Sequence, residues 1–257
     1  MGFQTRINNA DFGATAIAQD IYDQSTTQKH RLGERLVLGD RVFRYCSAGA
    51  ALIAGQLCES AAFGGALTTI QTNLTVATAG SVGTRTVVVT TVTDAVAVNL
   101  YADGYLTTYD GSAAQGVGQS YRIKSHPVLA AAGNLTLTLY DDIVVEISTS
   151  AKVNLISNPY KAVKVSAASA PVGYPVGIPL VVIASGSYGW VQTWGPACGL
   201  ADGNWTLNLA LVRSAHVAGA IDIQVAGASS IAVPPIGYSM SVIADTKYGS
   251  LWLQLAS

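Results

Sequence analysis

The sequence predicts an all-β protein, built from one or two β-sandwich or barrel modules and preceded by an extended N-terminal arm. Val and Thr crowd several segments, such as residues 84–100, and β-branched side chains favour a pleated strand over a helix. Apolar and polar residues alternate in short runs between Gly, Asp, Asn and Pro turn signals. A chain of 257 residues is long enough for two such modules or for a single large one.

The composition of the chain argues for protein partners and against nucleic-acid and membrane partners. Charged residues make up 11% of the chain, against about 25% in ordinary globular proteins. So few charges indicate a surface that is partly hidden in an assembly, although a very stable secreted β protein would share this composition. The net charge of −1 and the lack of an 18-residue apolar run or an export leader predict no nucleic-acid partner, no membrane partner and synthesis in a cytoplasm.

Residues 1–32 form the predicted arm. The segment is polar and lacks period-2 alternation, so it cannot bury enough surface to hold itself in place. We expect it to lie on a neighbouring subunit, with a disordered tail as the alternative. Its cations and those that follow it are interleaved with acids, a mixture that suits protein contacts better than phosphates.

Residues 33–165 form the first predicted β-rich domain. The run RLVLGDRVFRYC predicts a hairpin that turns at Gly39 and Asp40. Further strands are predicted within residues 66–100, 121–127, 135–139 and 143–148, each bounded by turn residues. In the run YRIKSHP, Tyr121, Ile123 and Ser125 alternate with three potential cations, Arg122, Lys124 and His126. Such a row is typical of a solvated strand face, and contact with an acidic partner is the alternative.

Residues 166–257 form the second predicted β-rich module. Residues 166–179 hold three of the eight prolines and are the candidate boundary or crossing loop. At the other end, residues 238–244 and 249–255 predict a closing hairpin. Its Leu251, Leu253 and Leu255 share a face opposite Trp252.

The centre of the second module is an aromatic strand, SYGWVQTW, that starts at Ser187. Alternation places Tyr188, Trp190 and Trp194 on one face, with Gln192 between the two indoles. Gly195-Pro196 is predicted to end this strand, and a turn at residues 201–203 to lead into a hairpin partner at residues 205–212. The aromatic face is predicted to be either the core of a sandwich or a contact platform for a protein or a sugar.

The inventory of reactive side chains predicts no enzyme. His30, His126 and His216 lack metal-ligand spacing, and the three cysteines show no zinc or nucleophile pattern. The adjacent acids Asp141 and Asp142 would point to opposite faces of a strand, so they do not predict paired acid catalysts. We therefore expect no catalytic residue, no metal site and no cofactor.

The order of several blocks resembles a family of tailed-phage virion proteins. The blocks are GERLVLGDRVFRYCSAGAALIAGQLC, YRIKSHP, LTLYDDIVVEISTSAKVNLISNPY, YGWVQTWGPACGLADG and PPIGYSMSVIADTKYGSLWLQL, and the similarity covers about residues 25–257. Members of this family are structural or capsid decoration proteins. The resemblance implies a β-rich protein that attaches to the outside of an assembled capsid, often as a trimer, and strengthens it.

From this resemblance we expect the major capsid protein as partner, a homotrimer, and a location on the capsid surface of virions assembled in the host cytoplasm. The residues expected to contact the shell are cationic residues of the arm and of the first hairpin: Lys29, His30, Arg31, Arg35 and Arg44. Tyr188, Trp190 and Trp194 are expected to pack subunits together. A tail, baseplate or fibre component and a carbohydrate-binding adhesin with Trp190 and Trp194 in solvent are the alternatives.

Overall fold

The structure is a computed structural model that describes residues 19–61, 70–91, 95–110, 116–168, 173–224 and 234–257. Within these ranges every extended regular element is a β-strand, which confirms the all-β prediction. The same ranges contain no helix that is long and apolar enough to cross a membrane. The first eighteen residues of the predicted arm lie outside the described residues.

The described ranges contain sixteen strands. In chain order they are β1 (Arg35–Leu38), β2 (Arg41–Ser47), β3 (Cys58–Glu59), β4 (Ile70–Thr78), β5 (Thr86–Thr90), β6 (Tyr105–Asp110), β7 (Ser120–Ser125), β8 (Asn134–Leu139), β9 (Lys152–Ile156), β10 (Lys164–Val165), β11 (Pro175–Pro179), β12 (Tyr188–Leu200), β13 (Ala210–Arg213), β14 (Ile221–Ile223), β15 (Gly237–Ser239) and β16 (Tyr248–Gln254).

The chain folds into two compact units, one of which is inserted into the other. Unit 1 consists of Met1–Ala61 and Tyr160–Ser257, and unit 2 is the continuous segment Ala62–Pro159. The boundaries predicted from the sequence, at 32/33 and 165/166, both fall inside unit 1. The Pro-rich segment 166–179 accordingly does not separate the two units, because its last five residues form β11 within the sheet of unit 1.

Unit 2 is a closed six-stranded barrel with the order β4-β5-β8-β7-β6-β9. Strands β6, β7 and β8 are neighbours in sequence and in space, and β5 lies beside β8, which is a Greek-key order. Alternate residues such as Val87, Val89, Leu135 and Leu137 point inwards and are fully or almost fully buried. Closure pairs every strand on both sides, so the barrel has no open sheet edge.

Unit 1 is a single curled sheet whose longest strand is β12. Eight strands follow the order β10-β3-β11-β12-β16-β15-β13-β14, and β2 pairs with both β1 and β12. The N-terminal half of β12 therefore has β2 on one side and β11 on the other, whereas its C-terminal half pairs with β16. The hairpin β1–β2 is confirmed. The closing hairpin β15–β16 also forms, but its first strand ends at Ser239 and not at residue 244 as predicted.

Two predictions about β12 were wrong. The strand does not end at Pro196 but continues to Leu200, and the segment that follows it does not become its hairpin partner. Proline is tolerated because β12 pairs with β16 alone from this point on, so the missing N–H interrupts no second ladder. The turn at residues 201–203 leads to β13, which pairs with β14 and β15 instead.

Gly195 joins the two halves of β12 and requires the absence of a side chain. Its φ is +86°, and a Cβ atom there would collide with the main-chain carbonyl of Asp40 in the β1–β2 turn. Only glycine allows both this backbone angle and this close approach.

Candidate functional site

The aromatic side chains at the start of β12 form a buried cluster within their own chain. Trp190 is only 2% exposed and lies opposite Tyr45 of β2, with 5.0 Å between the ring centroids. Tyr188 stacks on Tyr45, and the His30 ring lies 5.0 Å from Trp190. Of the two roles that the sequence left open for Trp190, the structure favours the core role, because the side chain is covered without a second subunit.

Residues 19–32 lie against this cluster rather than extending away from it. The Trp190 indole N–H donates to the Gln19 main-chain oxygen at 3.0 Å, and the Tyr45 hydroxyl donates to Gln19 Oε1 at 2.7 Å. Ser25 exchanges main-chain hydrogen bonds with Tyr188, and Ile21 is buried. The described part of the predicted arm, residues 19–32, is thus fastened to its own sheet.

The five residues predicted to contact the shell fall into two groups, those that are exposed and those whose side chains interact with neighbouring groups of the same chain. Lys29, Arg31 and Arg35 are exposed. The other two interact with neighbouring groups of the same chain: His30 Nδ1 lies 3.0 Å from Glu34 Oε1, and its side chain is 11% exposed. The Arg44 guanidinium donates to the main-chain oxygens of Gly33 and Ser257, each at 3.1 Å. Because Arg35 lies opposite Arg44 in the β1–β2 ladder, the two groups remain neighbours.

Trp194 does not share the face of Trp190. The ladder between β12 and β2 pairs Gln192 with Phe43 and then Trp194 with Val42, so Thr193 is an extra residue in a bulge. A one-residue shift moves every later side chain to the opposite face. Trp194 therefore belongs to the same side of the sheet as Pro196 and Cys198.

This side of the sheet carries a second aromatic surface, which we call the outer face. Cross-strand pairing places Pro196 beside Trp252 and Trp252 beside Tyr238. The face consists of side chains from β12, β16 and the start of the β15–β16 hairpin, and none of them is charged: Trp194, Pro196, Cys198, Tyr238, Met240, Tyr248, Ser250, Trp252 and Gln254. Sequence reasoning grouped Trp194 with Trp190 and missed the rest, although Trp252 was placed opposite the buried leucines.

Burial follows the two faces of these strands closely. Leu251 and Leu253 are fully buried in a core with Trp205 and Leu211. By contrast, Tyr238 is 44% exposed, Met240 is 48% exposed and Cys198 is also exposed. One face of the same three strands is therefore core, and the other is a partly exposed aromatic surface, on which Trp194, Pro196 and Trp252 are half-buried.

Three aspartates meet near the end of β12. Asp202 Oδ2 accepts a hydrogen bond from the Ser214 hydroxyl at 2.5 Å, and Asp245 Oδ1 accepts one from the Gly203 N–H at 2.8 Å. Burial raises the pKa of Asp222, and the nearby carboxylates of Asp202 and Asp245 raise it further. These acids serve turns: in the part of the chain that the structure describes, no group of three or more His, Cys, Asp or Glu could hold a metal ion.

The three thiols differ sharply in environment. Burial raises the pKa of Cys46 to about 12 and the pKa of Cys58 well above its usual value. Burial also raises the pKa of Cys198, but this thiol is exposed on the outer face. Because a thiolate is the reactive form, both buried cysteines are expected to be inert in the folded protein.

No protein-family model matches this chain, and comparisons with curated proteins and with solved structures find no similar protein. These comparisons therefore do not identify the phage virion family that the sequence blocks resemble.

Proposed function

We propose that this chain is a structural protein of a phage virion, which binds the outside of the assembled capsid and stabilises it without catalysing a reaction. The ordered sequence blocks support the proposal, and one structural observation gives it a specific surface. Residues 19–32 are fixed to the sheet, so Lys29, Arg31 and Arg35 stand on a rigid base beside the acid Glu34. A mixed-charge surface of this kind suits contact with a protein.

The proposed mechanism is clamping of neighbouring subunits of the shell. A protein that binds only the assembled lattice stabilises that lattice by mass action, because every contact it makes is lost when the shell opens. Several copies joined together would add the advantage of multivalency, since binding of one copy raises the local concentration of the others. The major capsid protein is the proposed partner. This chain is proposed to bind it as a homo-oligomer, for which the resemblance suggests a trimer.

Co-sedimentation of the purified protein with capsids stripped of it tests this function. We expect saturable binding at a fixed ratio to the major capsid protein, and a higher temperature of shell rupture in the decorated particles. A protein that ignores stripped capsids at micromolar concentration, or that forms rings or tubes by itself, contradicts the proposal and favours a tail component.

Charge reversal locates the contact. Lys29→Glu and Arg35→Glu should each weaken shell binding about tenfold or more, because a like charge would face the acids of the partner. Lys247→Glu is the matched control, since Lys247 is also an exposed cation of unit 1 but lies in the β15–β16 turn. If all three variants bind stripped capsids as tightly as the wild-type protein does, the cationic surface is not the shell contact.

Truncation needs a boundary that spares the core. Removal of residues 1–32 would delete Gln19, Ile21 and Leu32, which cover Trp190 and Tyr45. Removal of residues 1–18 leaves these contacts in place and is expected to keep unit 1 folded. Loss of shell binding in this shorter truncation would assign a part of the contact to residues 1–18, whereas full binding would assign it to the fastened segment.

A further inference from the structure

We infer that the outer face packs against the same face of neighbouring copies of this chain, turned towards a common symmetry axis. The inference rests on the proposed function only in naming the surface by which the homo-oligomer forms. Trp190 was predicted to pack subunits together, but it is buried within its own chain. The outer face offers exposed side chains for that contact instead, among them Tyr238 and Met240.

The size of the face supports an interaction site. From the Trp194 row to the Tyr248 row the strand advances six residues, or roughly 20 Å, and three strands with their side chains span about 15 Å. The footprint of the face is therefore about 300 Å², the size at which apolar patches mark interaction sites in soluble proteins, although Trp194, Pro196 and Trp252 within it are half-buried.

Charge identifies a second copy as the occupant. The rows of the outer face contain no Lys, Arg, Asp or Glu, so any charged group placed on them would be desolvated without a partner. The β1–β2 side of unit 1 carries Arg35, Arg41 and Arg44 and is therefore a poor match. The outer face itself is neutral and aromatic, and around a symmetry axis it meets its own copy.

A charge introduced in the row that runs from Pro196 through Trp252 to Tyr238 tests the contact. Tyr238→Lys should raise the dissociation constant of the oligomer on the order of 100-fold, because each copy would bury an unpaired ammonium group. Tyr174→Lys is the matched control, since it makes the same change at a tyrosine of unit 1 that is 64% exposed away from these strands. The readout is solution mass by light scattering over a range of concentrations, with far-UV circular dichroism to verify folding.

A charge swap separates a broken interface from a broken fold. Tyr238→Glu should also dissociate the oligomer, and mixing the Lys and Glu variants should restore it, because opposite charges would then meet near the axis within about one Debye length. A mixture that stays monomeric while both variants are folded overturns the inference, since the face would then meet a different surface.

Cys198 provides a measurement on the unaltered protein. It lies opposite Ser250 within the face, and the other two cysteines are buried. A neutral thiol reagent should modify Cys198 about tenfold more slowly above the dissociation constant than below it. A rate that does not change with protein concentration, or a wild-type protein that is monomeric and binds oligosaccharides through this face, overturns the inference.

Failure of this inference and failure of the proposed function are distinguishable. A monomeric wild-type protein that still co-sediments with stripped capsids overturns the homotypic contact and leaves capsid binding standing. An oligomer that Tyr238→Lys dissociates, but that ignores capsids, supports the contact and contradicts capsid binding.

Discussion

The two units build their hydrophobic cores on different arrangements of antiparallel strands, a closed barrel in unit 2 and a curled sheet in unit 1. The barrel of unit 2 is one continuous segment whose strands pair in a closed ring, and its core is mainly aliphatic. Unit 1 is assembled from the two segments that precede and follow unit 2 in the sequence, and its core is divided among three clusters around β12. The first solution relies on closure, and the second relies on one long strand with three partners.

The two arrangements are expected to respond differently to substitutions of core residues. In the barrel every strand is held on both sides, so loss of one inward side chain leaves the ladder intact. In unit 1 the pairing of residues 41–47 with β12 spans more than 140 positions of sequence and depends on the aromatic contacts that hold it. Substitutions in the aromatic cluster should therefore loosen distant parts of the chain, whereas substitutions in the barrel core should act locally.

The distribution of tryptophan makes this comparison measurable. All four tryptophans of the chain lie in unit 1, and the segment Ala62–Pro159 contains none. Intrinsic tryptophan fluorescence during urea unfolding therefore reports on unit 1, while hydrogen exchange of peptides from residues 74–155 reports on the barrel. Each substitution below can be read in both signals.

Trp190→Ala should have the largest effect. Removing a buried indole costs about 3–5 kcal/mol, and here it also leaves the Gln19 carbonyl without its donor. We expect a large drop in the urea midpoint of the fluorescence transition and release of residues 19–32 to protease. Exchange protection of the barrel peptides should stay unchanged, and an equal loss there would mean that the two units unfold as one.

Leu137→Ala is the corresponding change in the barrel. Leu137 is fully buried in the core of unit 2, where truncation to alanine costs about 2–5 kcal/mol. Barrel peptides should exchange faster by the corresponding factor, with the fluorescence midpoint of unit 1 within error of wild type. The exposed Val128→Ala serves as a control that should alter neither signal.

Tyr45→Phe should have an intermediate effect, confined to unit 1. The ring contacts remain, but the hydroxyl that donates to Gln19 and accepts from the Lys29 N–H is lost. Leaving the buried Gln19 amide oxygen and the partly buried Lys29 N–H without this partner should cost about 1–2 kcal/mol and speed trypsin cleavage after Lys29. Tyr22→Phe removes a hydroxyl from an exposed tyrosine in the same segment and should change neither stability nor cleavage.

Much of the secondary structure could be predicted from the sequence, because it depends on local alternation. The runs around residues 41–47, 135–139 and 248–254 show a period of two, and each is a strand. The hairpin β1–β2 could be predicted because a two-residue turn joins its strands, whereas in β15–β16 the pairing was predicted but the length of the first strand was not. By contrast, residues 143–148 look like a strand but make only an isolated bridge at Ile147.

The long-range features could not be predicted in this way. Nothing local reveals that β12 pairs with β2 and β16, or that the extra residue Thr193 sends Trp194 to the outer face. His126 was grouped with Arg122 and Lys124 on a solvated face, but it is buried, and its Nε2 accepts a hydrogen bond from the Tyr101 N–H. Bulges and tertiary hydrogen bonds override the alternation that a single strand displays.

The smallest effect, and the only stabilising one, is expected from Asp222→Asn. The pKa of Asp222 is raised by burial and by Asp202 and Asp245, so its ionised form opposes folding of unit 1 at neutral pH. An amide removes the charge and can still accept the hydrogen bond from the Ile223 N–H. Because the group is only partly buried, solvent screening limits the gain to about 0.5 kcal/mol.

The pH dependence of this gain fixes its cause. In the wild-type protein an acid with a raised folded-state pKa binds its proton before the unfolded chain does, so its unfavourable contribution fades as the pH falls through that pKa. The stability difference between Asp222→Asn and wild type should therefore be present at pH 7 and vanish below about pH 4. The fluorescence midpoint in urea measures it, with Asp141→Asn in the Trp-free barrel as a control that should not move. A gain that persists unchanged in acid would assign the effect to packing of the amide instead of to removal of charge from the aspartate cluster.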